Sequence, residues 1–204
     1  TFFLYSFSMN NIKYFLILIF CIGSFYAFKS PDFKTFKAFL TSESELVIKG
    51  HSNVNSFQCQ YDITELSDPI TISYKMVGDN LSFSKAKLEL NTLSFNCGHK
   101  GINKDFKKLL KSDEFPKISI DLISAENRIN DSELFVMVEI TICGITKPYK
   151  VLIQVEKRND DLLVCGTLPL DISDFQLEPP KKMLGLVKVS NEIVIDFSLV
   201  VVKN

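Results

Sequence analysis

Apolar residues return at every second position through most of the chain beyond Glu45, the signature of strands with one buried face. In "ELFVMVEITI", Leu134, Val136, Val138, Ile140 and Ile142 share one face, and Phe135, Met137, Glu139 and Thr141 share the other. The first face is the one expected to point inward. "PYKVLIQVE" repeats the pattern with Tyr149, Val151, Ile153 and Val155 against Lys150, Gln154 and Glu156, and "EIVIDFSLVV" with Ile193, Ile195, Phe197 and Leu199 against Glu192, Asp196 and Ser198. Shorter segments read the same way: "ELVIKG", "NSFQCQYDI", "PITISYKM", "NLSFSKAKLELNTL", "PKISIDLIS", "LLVCGTLPLDI" and "LVKVS". The turn signals "VGDN", "NRINDS", "GITKP" and "KRNDD" separate neighbours, as in a meander of hairpins.

Two stretches depart from that period. "NKDFKKLLKSDEFP" sets Phe106, Leu109 and Leu110 at helical spacing and stops before Pro116, which predicts a short amphipathic helix across one end of the sheet. "KSPDFKTFKAF" has a mixed pattern, and residues 29–44 are expected to form a linker or short helix. About eight antiparallel strands with one helix imply a sandwich or a barrel, and a barrel of that size holds a small ligand when its inner side chains do not fill it. The inner faces carry no charge, so such a ligand would itself be apolar. The competing reading is a packed core.

Composition narrows the class. The 204 residues, 46% of them apolar, suit one domain. With 23 basic and 24 acidic residues dispersed along the chain, there is no electrostatic footprint for nucleic acid. The front end is distinct: after Met9 and Lys13 an apolar run extends from Tyr14 to Phe28, so residues 1–28 read as upstream sequence plus a signal peptide, with a membrane anchor as the rival. Phe20 precedes Cys21 where a lipobox has a small residue, which favours soluble export to the periplasm or beyond. Cleavage near Ala27 would leave Cys59, Cys97, Cys143 and Cys165, enough for one or two disulfides whose pairing stays open.

Catalytic chemistry finds little support. His51 and Ser52 are adjacent, so on a strand their side chains point to opposite faces, and the ordinary reading of His51 is a solvent-facing residue at a strand start. "CGH" puts Cys97 and His99 two apart, but no further ligand motif completes a metal site. Neither a dinucleotide fingerprint, a P-loop nor a nucleophile elbow occurs. Asp171, Asp174 and Glu178 read as a solvated turn rather than an acid/base pair.

The ordered series "LVIKGHSNVNSFQCQYD", "LNTLSFNCGHKGINKDFKKLLKSDEFPKISIDL", "ITICGITKPYKVLIQV" and "GTLPLDISDFQLEPPKKMLGLVKVSNEIVIDFSLVV" resembles the YceI-like family of polyisoprenoid-binding proteins, and within it a branch common in Bacteroidetes. The resemblance implies an all-β fold: an antiparallel lipocalin-like β-barrel over residues 45–204, with an apolar bore that holds a polyprenyl chain or quinone tail and no other cofactor. On that implication the interior positions expected to line the bore are Phe57, Tyr74, Phe83, Ile120, Leu122, Val136, Val138, Ile140, Val151, Ile153, Leu168, Ile195 and Phe197. Asn53 and Asn55 would shape a polar corner after the opening strand, Gly144 to Pro148 a hairpin turn, and Asp174 to Leu177 a corner before the last strands.

The resemblance further implies a disulfide between Cys59 and Cys97, worth about 3 to 4 kcal/mol in the chain-entropy model. Cys143 and Cys165 are as readily free thiols. Where many family members carry a histidine, "NKDFKKLLKSDEFP" has none, so no polar contact to a ligand head is expected from it. The partner implied is an amphiphilic lipid. The reading from another class is a filled structural module that uses exposed strands and "EPPKKMLG" to contact an envelope protein, or a second copy of itself as a homodimer. An enzyme acting on a lipid-like substrate ranks last.

Overall fold

The computed structural model describes residues 32–126, 132–180 and 186–203. The expected signal peptide, the "NRINDS" turn up to residue 131 and residues 181–185 of "EPPKKMLG" lie outside them. In chain order the elements are β1 (Lys34–Leu40), β2 (Glu45–Ser52), β3 (Ser56–Tyr61), β4 (Ile70–Val77), β5 (Asn80–Lys85), β6 (Lys87–Asn91) and β7 (Phe95–Asn96). Helix α1 (Lys100–Leu109) follows, then β8 (Lys117–Ala125), β9 (Glu133–Ile142), β10 (Ile145–Arg158), β11 (Asp161–Asp171) and β12 (Val189–Lys203).

All pairings are antiparallel, and eight strands close a ring in the order β1-β4-β5-β8-β9-β10-β11-β12, with β12 returning to β1. The remaining strands attach to the same wall at the other end. β2 pairs with the first part of β12, β3 with β2, and β7 with β3, while β6 pairs with the first part of β8. The gap between β7 and β6 is spanned by the 3-10 turn Thr92–Ser94, which joins them in sequence.

Two strands therefore change partner along their length, and each does so at a local irregularity. β8 leaves β6 for β5 across a register shift between Leu122 and Ser124, as β-bulges do when they re-aim a strand. β12 leaves β2 after Ser198 and meets β1 at Val201. At the break, buried Ser44 takes the place of a strand neighbour: the Val200 amide donates to Ser44 Oγ at 2.9 Å. Val200 is buried there although the alternation Ile193, Ile195, Phe197, Leu199 puts it on the outer face.

Three expectations need correction. Residues 34–40 form β1 rather than a linker or helix, because Ala38 is buried and the strand is clamped between β4 and β12. His51 and Ser52, expected at a strand start, end β2, and the chain turns through the expected corner at Asn53 to Asn55 into β3. The β9–β10 turn is tighter than Gly144 to Pro148, since Pro148 already pairs with Glu139. Cys143 (φ 49°) and Gly144 (φ 78°) alone make that turn, both left-handed as a twisted two-residue hairpin requires.

The inner faces form one apolar cluster running from Leu46 and Ile48 through Ile118, Val136, Ile140, Val151, Ile153 and Leu168 to Phe175 and Leu177. Two cross-strand pairs put a glycine opposite a phenylalanine on this inner face, Gly50 with Phe57 and Gly166 with Phe197. In each the ring lies where a Cβ would be: a methyl on Gly166 would fall 2.4 Å from Phe197 Cζ, and one on Gly50 2.4 Å from Phe57 Cζ. The absent side chains let the rings lie flat against the wall.

Candidate functional site

Helix α1 covers the β2–β3–β6 end of the barrel. His99 is its N-cap: with extended backbone, its Nδ1 accepts from the Gly101 amide at 3.1 Å and satisfies one of the free N–H groups of the first turn. Just upstream, Asn103 Oδ1 accepts from the Cys97 amide at 2.6 Å. Cys97 is bonded to Cys59 of β3, so the chain entering the helix is covalently fixed to the barrel wall. Cys59 is fully buried, and such a bridge belongs to an oxidising compartment.

Beneath α1 lies an enclosed cavity of about 80 Å³. Leu46, Ile48, Leu90, Phe95, Ile118, Ile120, Ile140, Ile142, Ile172, Leu177, Ile193 and Ile195 line it, with Phe106, Leu109 and Leu110 from the helix side, and Ser190 is the one polar residue among its nineteen lining positions. A second space of about 230 Å³ opens beside the helix, between Ile102, Asp105, Phe106 and Leu109 of α1, Ser52, Asn55 and Ser56 of the hairpin, and Pro180, Val187 and Val189. Phe57, Phe106, Leu109 and Val189 border both spaces and separate them. Larger depressions of about 650 to 770 Å³ are open outer grooves lined by groups such as Glu45, Lys49, Lys117 and Asp121, and they enclose nothing.

Of the expected interior residues, Phe57, Ile120, Ile140 and Ile195 line the closed cavity. Val136, Val151, Ile153 and Leu168 are buried in the core away from it. Leu122, Val138, Phe83 and Phe197 are half-buried against that core. Tyr74 sits at the far end, between Phe36 at 6.2 Å and Phe83 at 6.1 Å, centroid to centroid. The alternation misses Phe95, Phe106, Leu109 and Leu177, because they come from a two-residue strand, a helix and a turn that a period of two cannot place. The signal was present for two of them: Phe106 and Leu109 lie three apart on an amphipathic helix, whose apolar face needs something to cover.

The polar groups near the site brace it. Tyr61 meets Phe95 edge to face and Phe95 meets Phe106 at a tilt, with centroids 4.9 and 5.3 Å apart, and Tyr61 Oη accepts from the Asn91 amide at 3.2 Å. Burial pushes the Tyr61 phenol up, against the opposing effect of that amide. Tyr149 Oη donates to Asp174 Oδ2 at 2.9 Å, pinning the 3-10 corner Ile172–Phe175 to β10. Burial first, then the Asp174 hydrogen bond and the Asp174 and Asp171 charges, raise the Tyr149 phenol far above its ordinary value.

Asn53 ties the hairpin to the strand lead-in, donating to Leu186 O and accepting from the Lys188 amide, both at 2.9 Å. Cys143 is a free thiol raised chiefly by burial, and Cys165 is free as well. Among the described residues no three His, Cys, Asp or Glu side chains gather to hold a metal, and no helix is long and apolar enough to cross a membrane.

The model of the YceI-like domain matches residues 41–201. Among solved structures, BcnA of Burkholderia cenocepacia superposes with a TM-score of 0.62 at 17% identity, over 78% of this chain and 96% of that one. A Campylobacter jejuni YceI protein superposes with a TM-score of 0.49 at 17% identity, over 58% of this chain and 71% of its own. No curated protein shows a significant match. At 17% identity the likeness to BcnA speaks to the fold alone.

Proposed function

Since the chain belongs to the YceI-like family, we propose that it is an exported binding protein that holds the apolar tail of an isoprenoid-type lipid, a polyprenyl chain or a quinone, in the bore beneath α1. The observation that carries this reading is the lining: a closed end walled by aliphatic and aromatic side chains, divided from an open mouth by Phe57, Phe106 and Leu109. Burial of each methylene is worth about 0.8 kcal/mol, so tail length sets most of the affinity. Asn55, Ser52 and Asp105 at the rim are the groups within reach of a polar head. The apolar run before Ala27 and the bridge between Cys59 and Cys97 support export to the periplasm or beyond. The same bridge supports placement in the branch common in Bacteroidetes.

Volume sets the mechanism. About 80 Å³ is roughly half the 150 Å³ or so that holds a benzene ring in an engineered dry cavity. A tail would therefore enter by Phe57 and Phe106 swinging toward the mouth, which merges the two spaces. The small cavity is also the observation that favours the second reading, a filled barrel that contacts an envelope protein.

Mass spectrometry of lipids extracted from protein purified without detergent separates the two. The first reading expects a stoichiometric isoprenoid, and its retention should fall at least tenfold in Ile120→Phe, which fills the closed end. Protein that carries no lipid, and delipidated protein that takes up neither polyprenol nor quinone, would leave the filled module.

A further inference from the structure

We propose that the outer face of α1 and the adjoining β2–β3 corner form a docking surface for an anionic lipid bilayer, which sets the mouth of the bore against the membrane. The helix has two faces. Ile102, Phe106 and Leu109 turn to the mouth and bore, while Lys100, Lys104, Lys107, Lys108 and, just beyond the last turn, Lys111 are exposed. At about 3.6 residues per turn the four helical lysines fall in one arc opposite the apolar trio, and Lys111 follows the helix with left-handed backbone. Asp105 is the single acidic residue among them, in a chain whose formal charge is −1. None of the five forms an ion pair with a described carboxylate.

The helix is one lip of the mouth, and the β2–β3 turn and residues 186–189 are the other; that second lip carries Val54, 67% exposed, and Leu186, 73% exposed, the two most exposed large apolar residues described. Both are held at the same corner: Asn53, next to Val54 in the turn, exchanges hydrogen bonds with Leu186 O and the Lys188 amide. Ser52 and Asn55 of that turn form the rim of the mouth together with Val187. An acidic protein would satisfy the lysines and leave two isolated aliphatic tips in water. A bilayer satisfies both, since phosphates meet the lysines while Val54 and Leu186 reach below the headgroups. The inference goes beyond the proposed cargo and holds whichever apolar molecule occupies the bore.

The test is flotation of the full chain with vesicles of phosphatidylcholine alone and of phosphatidylcholine mixed with phosphatidylglycerol. The wild type should partition preferentially to the anionic vesicles and release as salt screens the attraction. K104Q/K107Q/K108Q should weaken that partition about a hundredfold, at about fivefold per lysine. V54S/L186S should weaken it while leaving its salt dependence in place. The apolar run Tyr14 to Phe28 is common to all of these proteins, so the ratio of variant to wild type is the readout, and thermal melts matching the wild type establish that the variants fold. Equal partition to both vesicle types, an unchanged triple variant, or capture of a soluble acidic protein without vesicle association would overturn the proposal.

Discussion

Removing the Cys59–Cys97 bridge should cost about 4 kcal/mol. The bridge spans a sequence separation of 38, and the chain-entropy relation for a loop of that length gives about 13 cal/mol/K, or about 4 kcal/mol at room temperature. Three samples measure it by guanidinium unfolding followed by far-ultraviolet circular dichroism, since the chain has no tryptophan. They are the oxidised protein, the wild type reduced while unfolded and refolded in thiol, and C59A/C97A. The double variant also loses packing at two buried positions and should lie at or below the reduced wild type. Both lack a crosslink that keeps the unfolded chain compact, so their denaturant slopes should be steeper. Because Cys97 lies three residues ahead of α1, hydrogen exchange should accelerate in the helix before it does in β10 and β11. A reduced protein within about 1 kcal/mol of the oxidised one would refute the entropic argument. Alkylation of Cys59 or Cys97 in the oxidised protein would refute the pairing itself.

Other expectations follow from single contacts. Gly166→Ala should destabilise by about 1 to 3 kcal/mol because its methyl meets the Phe197 ring, and Phe197→Leu should recover part of the loss, as an equilibrium double-mutant cycle will read. Asp196 is held below the usual carboxylate range by Lys49 at 2.7 Å and by the Thr167 hydroxyl. Its folded form binds fewer protons than its unfolded form, so this contribution is present above about pH 4 and is lost as pH falls below that. It is modest, because the pair is partly exposed, and urea midpoints across the acid range should fall less steeply in Asp196→Asn. Tyr149 has the opposite sign: its raised phenol adds stability that is full below about pH 10 and is lost as pH climbs through its folded value. Phenolate absorbance of wild type against Tyr149→Phe should show one phenol titrating only with unfolding.

Much of the barrel was legible in the chain because an alternating strand advertises its inner face. The runs ending at Ile142, Val155 and Leu199 carry that signature over several repeats, and the structure pairs them as neighbours or next neighbours. β1 was hidden because Phe33, Phe36 and Phe39 recur at helical spacing, while only Ala38 is fully buried; its partners β4 and β12, distant in sequence, make it a strand. The β2–β3 turn was legible as a polar corner at Asn53 and Asn55 but not in its chemistry: it has no glycine, and Ser52 and Asn55 build it by bonding each other's groups. α1 begins three residues earlier than its apolar pattern suggests, since Gly101 and Asn103 are poor helix formers and the start depends on the His99 cap. The side chains between the two spaces were partly invisible for a similar reason. Phe106 and Leu109 announced a buried face, but nothing local in the sequence says which cavity that face closes.

The exchange of partners along β8 and β12 divides the barrel into two tiers that share a wall. One tier, girdled by β1, β4 and β5, is bound all the way round by backbone ladders; the other, girdled by β2, β3, β7 and β6, is completed by a turn, a disulfide and a helix. Apart from the short links through Ala86 and Thr41–Ser44, the girdles are joined by the common staves, so the helix end can loosen, or accumulate mutations that reshape its opening, while the fully laddered end keeps the molecule folded. Adaptation to a new ligand in such a scaffold is a local change at one rim.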